Sequence, residues 1–315
     1  MKALRILFMG TPEFAVGILD KLVTEGYTIV GVITAPDRPA GRGRQLNESA
    51  VKKYAMEHTI KVLQPTNLKD ANFLESLRSL NVDLQIVVAF RMLPRVVWEM
   101  PRYGTFNLHA SLLPQFRGAA PINWAIINGE TKTGVTTFFI DEKIDTGAII
   151  LQYETFINET DNAQDLHDRL MRLGAKTVLK TVKRIENANF ETTPQSDYAN
   201  LKEAPKLHKE TCEIDWKKPI ADIYNFIRGL SPYPTAWTTL HNGEQELTTK
   251  IYQTMSEPVE HQLPYGTLVH TKKEMKVAVK GGFINLQEIQ LQGKKRMPVK
   301  DVLNGLILEE NAKMG

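Results

Sequence analysis

The feature that most constrains this chain lies between Arg5 and Thr34. Arg5 to Met9 is a short apolar run, Gly10-Thr11-Pro12 breaks it, and Phe14, Ala15, Ile18, Leu19 and Leu22 recur at helical spacing before a second β-branched run from Tyr27 to Thr34. Strand, tight turn, helix, strand is a βαβ unit, and strands joined by a crossover helix run parallel. A parallel sheet is covered on both faces, so the spacing predicts an α/β domain with a Rossmann-like open, mostly parallel sheet. Leu84-Gln85-Ile86-Val87-Val88-Ala89-Phe90 is the most continuous apolar run and suits a central strand of that sheet. Gly10-Thr11-Pro12-Glu13 lacks the Gly-x-Gly-x-x-Gly spacing that lets a backbone approach a pyrophosphate, so the fold is not expected to hold a dinucleotide.

Chemistry concentrates in Phe106-Asn107-Leu108-His109-Ala110-Ser111-Leu112-Leu113-Pro114-Gln115-Phe116-Arg117-Gly118. Successive strand side chains point to opposite faces, so Asn107 and His109 leave one side together while Leu108 turns into packing. Open α/β sheets place their ligands beyond the carboxyl ends of the strands, where this pair is expected. The end of the Leu84–Phe90 run should lie beside it. Taken alone, the pair is more often a packed histidine beside a turn. A second acidic stretch, Asp141-Glu142-Lys143-Ile144-Asp145-Thr146-Gly147, precedes the strand that carries Gln152.

Together, Asn-x-His-x-Ser-Leu-Leu-Pro-x-Phe-Arg-Gly and Asp-x-Gly-x-x-x-x-Gln resemble the signatures of the folate-dependent formyltransferases. Within that family the resemblance is to the members that act on methionyl initiator tRNA, and it covers nearly the whole chain. It implies an enzyme that uses 10-formyltetrahydrofolate as formyl donor and no metal. Formyl transfer to an amine needs a neutral nucleophile, a donor for the oxyanion of a tetrahedral intermediate and a proton for the leaving amine. Asn107 can supply a fixed amide N–H, His109 can move a proton, and Asp145 can orient or charge-tune His109. The resemblance implies folate contacts from Phe90, Ser111, Leu112, Leu113, Pro114 and Gln152. Phe90-Arg91-Met92-Leu93-Pro94 departs from the family pattern, which places a glycine after the aromatic residue.

Rival chemistries have weaker support. Ser111 as a nucleophile activated by His109 lacks a Gly-x-Ser-x-Gly elbow, and Ser111 reads better as a cap of its turn. A metal held by His109, Asp141 and Asp145 lacks a second histidine at ligand spacing. Arg117 divides evenly between pinning the Gly118 turn and touching substrate. The alternatives to the main reading are another formyl-folate enzyme, such as a sugar-nucleotide or glycinamide ribonucleotide formyltransferase or a formyl-folate hydrolase, and a non-catalytic tRNA-binding protein.

At 315 residues the chain has room for two domains, each with its own core. Residues 1–189 are read as the catalytic domain. Residues 190–208, rich in Thr, Pro, Ser, Asn and Lys, have a linker's composition, and 209–315 carry short alternating runs separated by Gly, Asn and Pro. That pattern predicts a smaller, mostly antiparallel β module, which the resemblance implies is an OB-like barrel that docks tRNA. Between Leu268 and Lys300, eight basic residues (Lys272, Lys273, Lys276, Lys280, Lys294, Lys295, Arg296, Lys300) face only Glu274 and Glu288, a larger surplus than the whole chain's net +3. A polyanion would meet a positive face there.

Ala35-Pro36-Asp37-Arg38-Pro39-Ala40-Gly41-Arg42-Gly43-Arg44-Gln45-Leu46 reads as a mobile basic loop that can neither enter a core nor continue a helix. The resemblance makes it the tRNA-reaching loop, with Arg42 foremost and Arg38 and Arg44 in support, and adds Lys206 and Lys209 beside the linker. Cys212 is the sole cysteine, so no intrachain disulfide can form, and no run approaches a membrane span or a signal sequence. A soluble cytoplasmic protein, monomeric by family expectation, follows.

Overall fold

Strand and helix boundaries fall where the local chemistry places them. The computed structural model describes residues 4–40, 45–188, 190–196 and 200–315. β1 (Arg5–Gly10) runs into α1 (Glu13–Thr24), which starts after Pro12 in extended conformation, with Glu13 in its first turn, and which is followed by Gly26 at φ +79°. A carboxylate at a helix N-terminus complements the exposed N–H groups there. β2 (Thr28–Ile33) completes the βαβ unit, paired parallel with β1. Next comes a difference from the sequence reading. The basic loop opens and closes as an antiparallel hairpin of β3 (Arg38–Ala40) and β4 (Gln45–Asn47), with Arg38 opposite Asn47. The Lys52 ammonium pairs with Asp37 ahead of this hairpin and, at 2.7 Å, with Glu48 after it, so both stems are fixed to one helix.

α2 (Ala50–Glu57) is capped by Ser49, whose hydroxyl accepts from Lys52 N–H, and α3 (Ala71–Ser79), beyond β5 (Val62–Leu63), is capped by Asp70, which accepts from Phe73 N–H at 2.9 Å. β6 (Leu84–Val88) ends where Ala89 turns to φ +48°, and α4 (Arg95–Trp98) is a short turn that the sequence reading did not anticipate. β7 (Thr105–His109), β8 (Arg117–Gly118), α5 (Pro121–Ile127), β9 (Lys132–Phe139), β10 (Ile149–Phe156), α6 (Ala163–Glu186) and β11 (Glu203–Ala204) follow.

Two compact units emerge, and their boundaries interleave along the chain. The first is Met1–Gly118, Thr133–Thr155 and His167–Glu203; the second is Ala119–Lys132, Phe156–Leu166 and Ala204–Gly315. In the first, the seven-stranded sheet has the order β10-β9-β7-β6-β1-β2-β5. β6 is its middle strand, paired parallel with β1 and β7, and all five of its residues are buried. β9 runs antiparallel to β7, so the sheet is mostly rather than wholly parallel. Phe8 and Phe106 are fully buried in it. Burial of each such side chain contributes on the order of 2–3 kcal/mol.

The second unit begins with α5, packed on α7 (Ile220–Leu230): Asn123 Nδ2 donates to Gly229 O at 2.8 Å. Arg228 on α7 donates to Asp161 O at 2.7 Å, which holds the 156–166 segment. Neither piece carries a sequence signal that separates it from the first unit, because both attach through tertiary hydrogen bonds. β12 (Ala236–Asn242), β13 (Gln245–Pro258), β14 (Leu268–His270), β15 (Met275–Val279), β16 (Gly282–Leu291), β17 (Met297–Pro298), α8 (Val299–Leu303) and β18 (Lys313–Met314) complete the chain. The sheet order is β14-β15-β16-β13-β12-β18 with β17 on β16, and Thr267 bridges Lys313 across the two ends, so the antiparallel sheet is nearly closed. Register shifts between Ile251 and Thr254 bend the long β13, as bulges do in small barrels. Trp216, Met275 and Ile284 lie in the core of this unit.

Candidate active site

β7 delivers the site. Phe106 and Leu108 are buried, Leu108 against Gly174 of α6, while Asn107 and His109 leave by the opposite face. Val87 of β6 is the register partner of Asn107, so the end of the central strand does lie beside the pair.

His109 is the last residue of β7, and its ring is almost fully buried. Its Nε2 lies 2.8 Å from the carbonyl oxygen of Phe116. A carbonyl can only accept, so Nε2 carries the hydrogen and Nδ1 holds the lone pair of the neutral ring. Nδ1 faces Asp145 Oδ2 at 3.8 Å. That is too long for a hydrogen bond but close enough for strong attraction once the ring is protonated. Asp145 Oδ2 also accepts from Gly118 N–H at 3.0 Å. Among the described residues, the Asn107 side-chain amide makes no hydrogen bond, although it is half-buried.

The backbone around this cluster is strained. Ala89 (φ +48°), Phe116 (φ +60°) and Asp145 (φ +55°) occupy the left-handed region that non-glycine residues avoid. Each such residue costs on the order of 1–3 kcal/mol and persists only where its surroundings over-determine it. Gly147 shows how tight the acidic loop is, since a Cβ there would come within 1.7 Å of Phe139 O. Asp141 is turned inward to its own loop, accepting from Thr146 Oγ1 at 2.7 Å and from Lys143 N–H at 3.0 Å. Among the described residues, no three His, Cys, Asp or Glu side chains converge as a metal site needs.

The turn after β7 is held from within. Ser111 is fully buried and its hydroxyl donates to Gln115 O at 2.6 Å, the turn-capping role. Thr136 Oγ1 donates to Ser111 O and accepts from Leu113 N–H, and Gln152 Nε2 donates to Leu113 O at 2.7 Å and to Thr136 Oγ1. The Ser111 hydroxyl and the Gln152 amide are thus engaged in positioning this turn. Leu113 is buried, and Leu112 and Pro114 are half-exposed. Phe90 is half-buried beneath the Arg91 guanidinium, 5.7 Å from its ring centroid.

Arg117, ambiguous in the sequence, donates to Gln195 Oε1 at 2.8 and 3.2 Å. Gln195 in turn donates from Nε2 to the carbonyls of Asp145 (2.9 Å) and Gly147 (2.8 Å). Nothing in the sequence marks Gln195, because it stands in a stretch with a linker's composition. In the structure part of that stretch belongs to the first unit, with Thr193 bridging Ile149 and the Phe190 ring tilted against that of Phe139.

Of the basic candidates, Arg38 is exposed, and Arg42 and Arg44 lie outside the described residues. In the second unit Lys206 is exposed, and Lys209 is exposed with its ammonium 5.4 Å from the Trp237 ring centroid. On the barrel, Lys276 pairs with Glu257 and Arg296 with Glu288, while Lys272, Lys273, Lys280, Lys294, Lys295 and Lys300 stay exposed. No helix among the described residues is long and apolar enough to cross a membrane.

The Formyl transferase family model matches residues 4–182, and the model for the Formyl transferase C-terminal domain matches residues 206–306. The chain is 60% identical over 314 residues to the methionyl-tRNA formyltransferase of Flavobacterium johnsoniae, covering 100% of both chains. It is 54% identical over 316 residues to that of Bacteroides thetaiotaomicron, covering 99% of this chain and 98% of the relative. Among solved structures, the N-formyltransferase from Helicobacter canadensis in complex with folinic acid and dTDP-3-aminofucose superposes with a TM-score of 0.64 at 21% identity, over 93% of this chain and 100% of that one. HypX from Aquifex aeolicus in complex with tetrahydrofolic acid gives 0.65 at 17% identity, over 96% of this chain and 47% of that one. At these identities the two structures speak to the fold alone.

Proposed function

The chain belongs to the methionyl-tRNA formyltransferases, and on that premise we propose how its own residues carry out the transfer. The formyl group comes from 10-formyltetrahydrofolate and goes to the α-amino group of methionyl initiator tRNA by direct attack through a tetrahedral intermediate. The observation that carries this reading is the arrangement at the end of β7: a buried imidazole with its lone pair 3.8 Å from a carboxylate, beside a side-chain amide without a hydrogen bond.

The arrangement fits a formyl-folate and an amine. When bound, 10-formyltetrahydrofolate supplies the formyl carbon and an aryl amine that can depart. Asn107 donates its amide N–H to the oxygen that becomes an oxyanion as the amine nitrogen bonds to that carbon. His109 accepts at Nδ1 the proton that the amine loses, since Nε2 is already committed to Phe116 O. Asp145 stabilises the imidazolium so formed and, held by Gly118 N–H, does not follow the proton. His109 then returns the proton to the aryl amine as its C–N bond breaks. The burial of the pair keeps bulk water from weakening each of these interactions.

Phe90 and the Leu112–Pro114 turn, with Ser111 and Gln152 bracing it, form the side against which the pterin lies. Arg38, Arg42 and Arg44 reach the acceptor end of the tRNA, and Lys206 and Lys209 contact its backbone. Arginine suits the first task because its planar fork matches phosphate geometry. The enzyme acts as a monomer in the cytoplasm.

The test is transfer of labelled formyl from 10-formyltetrahydrofolate to methionyl-tRNA, comparing initiator with elongator acceptors at two salt concentrations. Wild type should formylate the initiator alone, His109→Ala should be nearly inactive, and Arg42→Ala should weaken the tRNA step with a shallower salt dependence. Consumption of formyl-folate without any formylated tRNA would sink the assigned acceptor.

A further inference from the structure

We propose that Gln195 is a positioning residue for the reaction, acting through Asp145, and this rests on the roles assigned above to His109 and Asp145. Asp145 holds a left-handed backbone, and two carbonyls of its loop, its own and that of Gly147, both accept from a single group, the Gln195 side-chain amide, at 2.9 and 2.8 Å. The orientation of that amide is fixed by its neighbours. Carbonyls accept only and a guanidinium donates only, so the NH2 end faces the loop and Oε1 faces Arg117.

These contacts close a ring. From the Asp145 carboxylate the path runs to Gly118 N–H, through the adjacent Arg117 side chain to Gln195 Oε1, and from Gln195 Nε2 back to the Asp145 carbonyl. One residue earlier, Phe116 O receives the His109 Nε2–H. The 116–118 segment therefore fixes the histidine and the carboxylate at once, and Gln195 ties that segment to the loop that carries the carboxylate. What the ring sets is the 3.8 Å separation of Nδ1 from Oδ2. Glutamine is suited to this place because one planar group offers two N–H donors and an acceptor on a side chain long enough to span them; glutamate would set an oxygen against two carbonyl oxygens.

Gln195 touches no reacting atom. Its loss should therefore lower the rate of the transfer and leave the binding of both substrates nearly untouched, and it should do so only while Asp145 carries its charge. The experiment is steady-state kinetics on the full-length enzyme with 10-formyltetrahydrofolate and methionyl initiator tRNA for wild type, Gln195→Met, Asp145→Asn and the double variant, with thermal melts of each. The expected result is a roughly 10- to 100-fold fall in kcat for Gln195→Met with both KM values within about twofold, as for an interaction made in the transition state. In the Asp145→Asn background the same change should cost less than about threefold, because residues acting as a unit are not additive. A Gln195→Met enzyme with wild-type kcat, an equal fold-loss in both backgrounds, or a raised KM for tRNA at unchanged kcat would each overturn the assignment. If Gln195→Met melts below the assay temperature, the four enzymes are compared at a temperature below that melt, where the same outcomes decide. A wild-type enzyme that formylates no methionyl-tRNA would instead refute the functional reading, an outcome distinct from all of these.

Discussion

Replacing Asp145 by asparagine isolates the charge at the centre of the proposed mechanism. Asparagine keeps the shape and an oxygen for Gly118 N–H, and it is the residue other than glycine and aspartate that best tolerates a backbone at φ +55°. What it removes is the attraction between a carboxylate and an imidazolium 3.8 Å away. At that separation two unit charges interact by about 4 kcal/mol for an effective dielectric constant of 20 and by about 1 kcal/mol in bulk water. With side chains only 7% and 13% exposed, the first figure is the relevant one. In the proposed mechanism the imidazolium forms as the amine loses its proton, so the loss falls on the transition state and not on substrate binding. About 4 kcal/mol corresponds to roughly a thousandfold in rate. The assay is kcat and KM for formyl transfer to methionyl initiator tRNA, alongside a thermal melt. Asp145→Asn should lose about two to three decades of kcat/KM, nearly all in kcat, at an unchanged melting temperature. Retention of more than about a tenth of wild-type activity would cap the interaction near 1.4 kcal/mol and refute the buried ion-pair argument.

Asn107→Ala should lower kcat/KM by about 10²–10³ while leaving the melting temperature unchanged, since among the described residues the amide has no hydrogen bond to lose; wild-type activity would remove it from the oxyanion. Gly147→Ala drives a methyl toward Phe139 O and should destabilise by at least about 1–3 kcal/mol, read as a lower melting temperature, and an unchanged melt would contradict the close approach. Burial, aided by a hydrogen bond to Asp20, pushes the Tyr54 hydroxyl up to about 12 from 10.0. The folded state therefore holds this proton more tightly than the unfolded one: the contribution is full below pH 10 and is lost as pH rises toward 12, up to about 2–3 kcal/mol in all. Urea melts from neutral to alkaline pH should show wild type losing stability faster than Tyr54→Phe above pH 10; parallel curves would rule this out.

Much of the fold is legible because burial has a period. The βαβ opening and the apolar β6 stand where spacing puts them, since each must hide one face or two. The elements that escaped are those whose existence depends on distant partners. α4 is four residues long, β17 and β18 are two each, and none has room for a pattern. The hairpin of β3 and β4 forms in a stretch whose proline and glycine content argues for irregular backbone, because Lys52 holds Asp37 and Glu48 on either side of it. The interleaved boundary has the same origin: α5 belongs with α7 through Asn123 and Gly229, a contact more than a hundred residues apart in sequence.

The site divides along the same line. Side-chain chemistry is written in the residues, so Asn107, His109 and Asp145 can be named before any coordinates exist, and strand alternation alone puts the first two on one face. What arranges them is not side-chain chemistry. The tautomer of His109 is set by a backbone carbonyl, the carboxylate of Asp145 is aimed by a backbone N–H, and the loop beneath it is held through two further carbonyls by Gln195. Backbone groups have no identity in a sequence; any residue could have supplied them. Their directions follow from dihedral angles, and here Phe116 holds an angle that its own side chain disfavours, while Asp145 holds one that few residues besides glycine, asparagine and aspartate adopt. A reading by propensity assigns such residues their ordinary conformations and so loses the direction of the groups they carry. The strain and the illegibility are one property: a histidine and a carboxylate held 3.8 Å apart need a backbone that local preference alone would not produce.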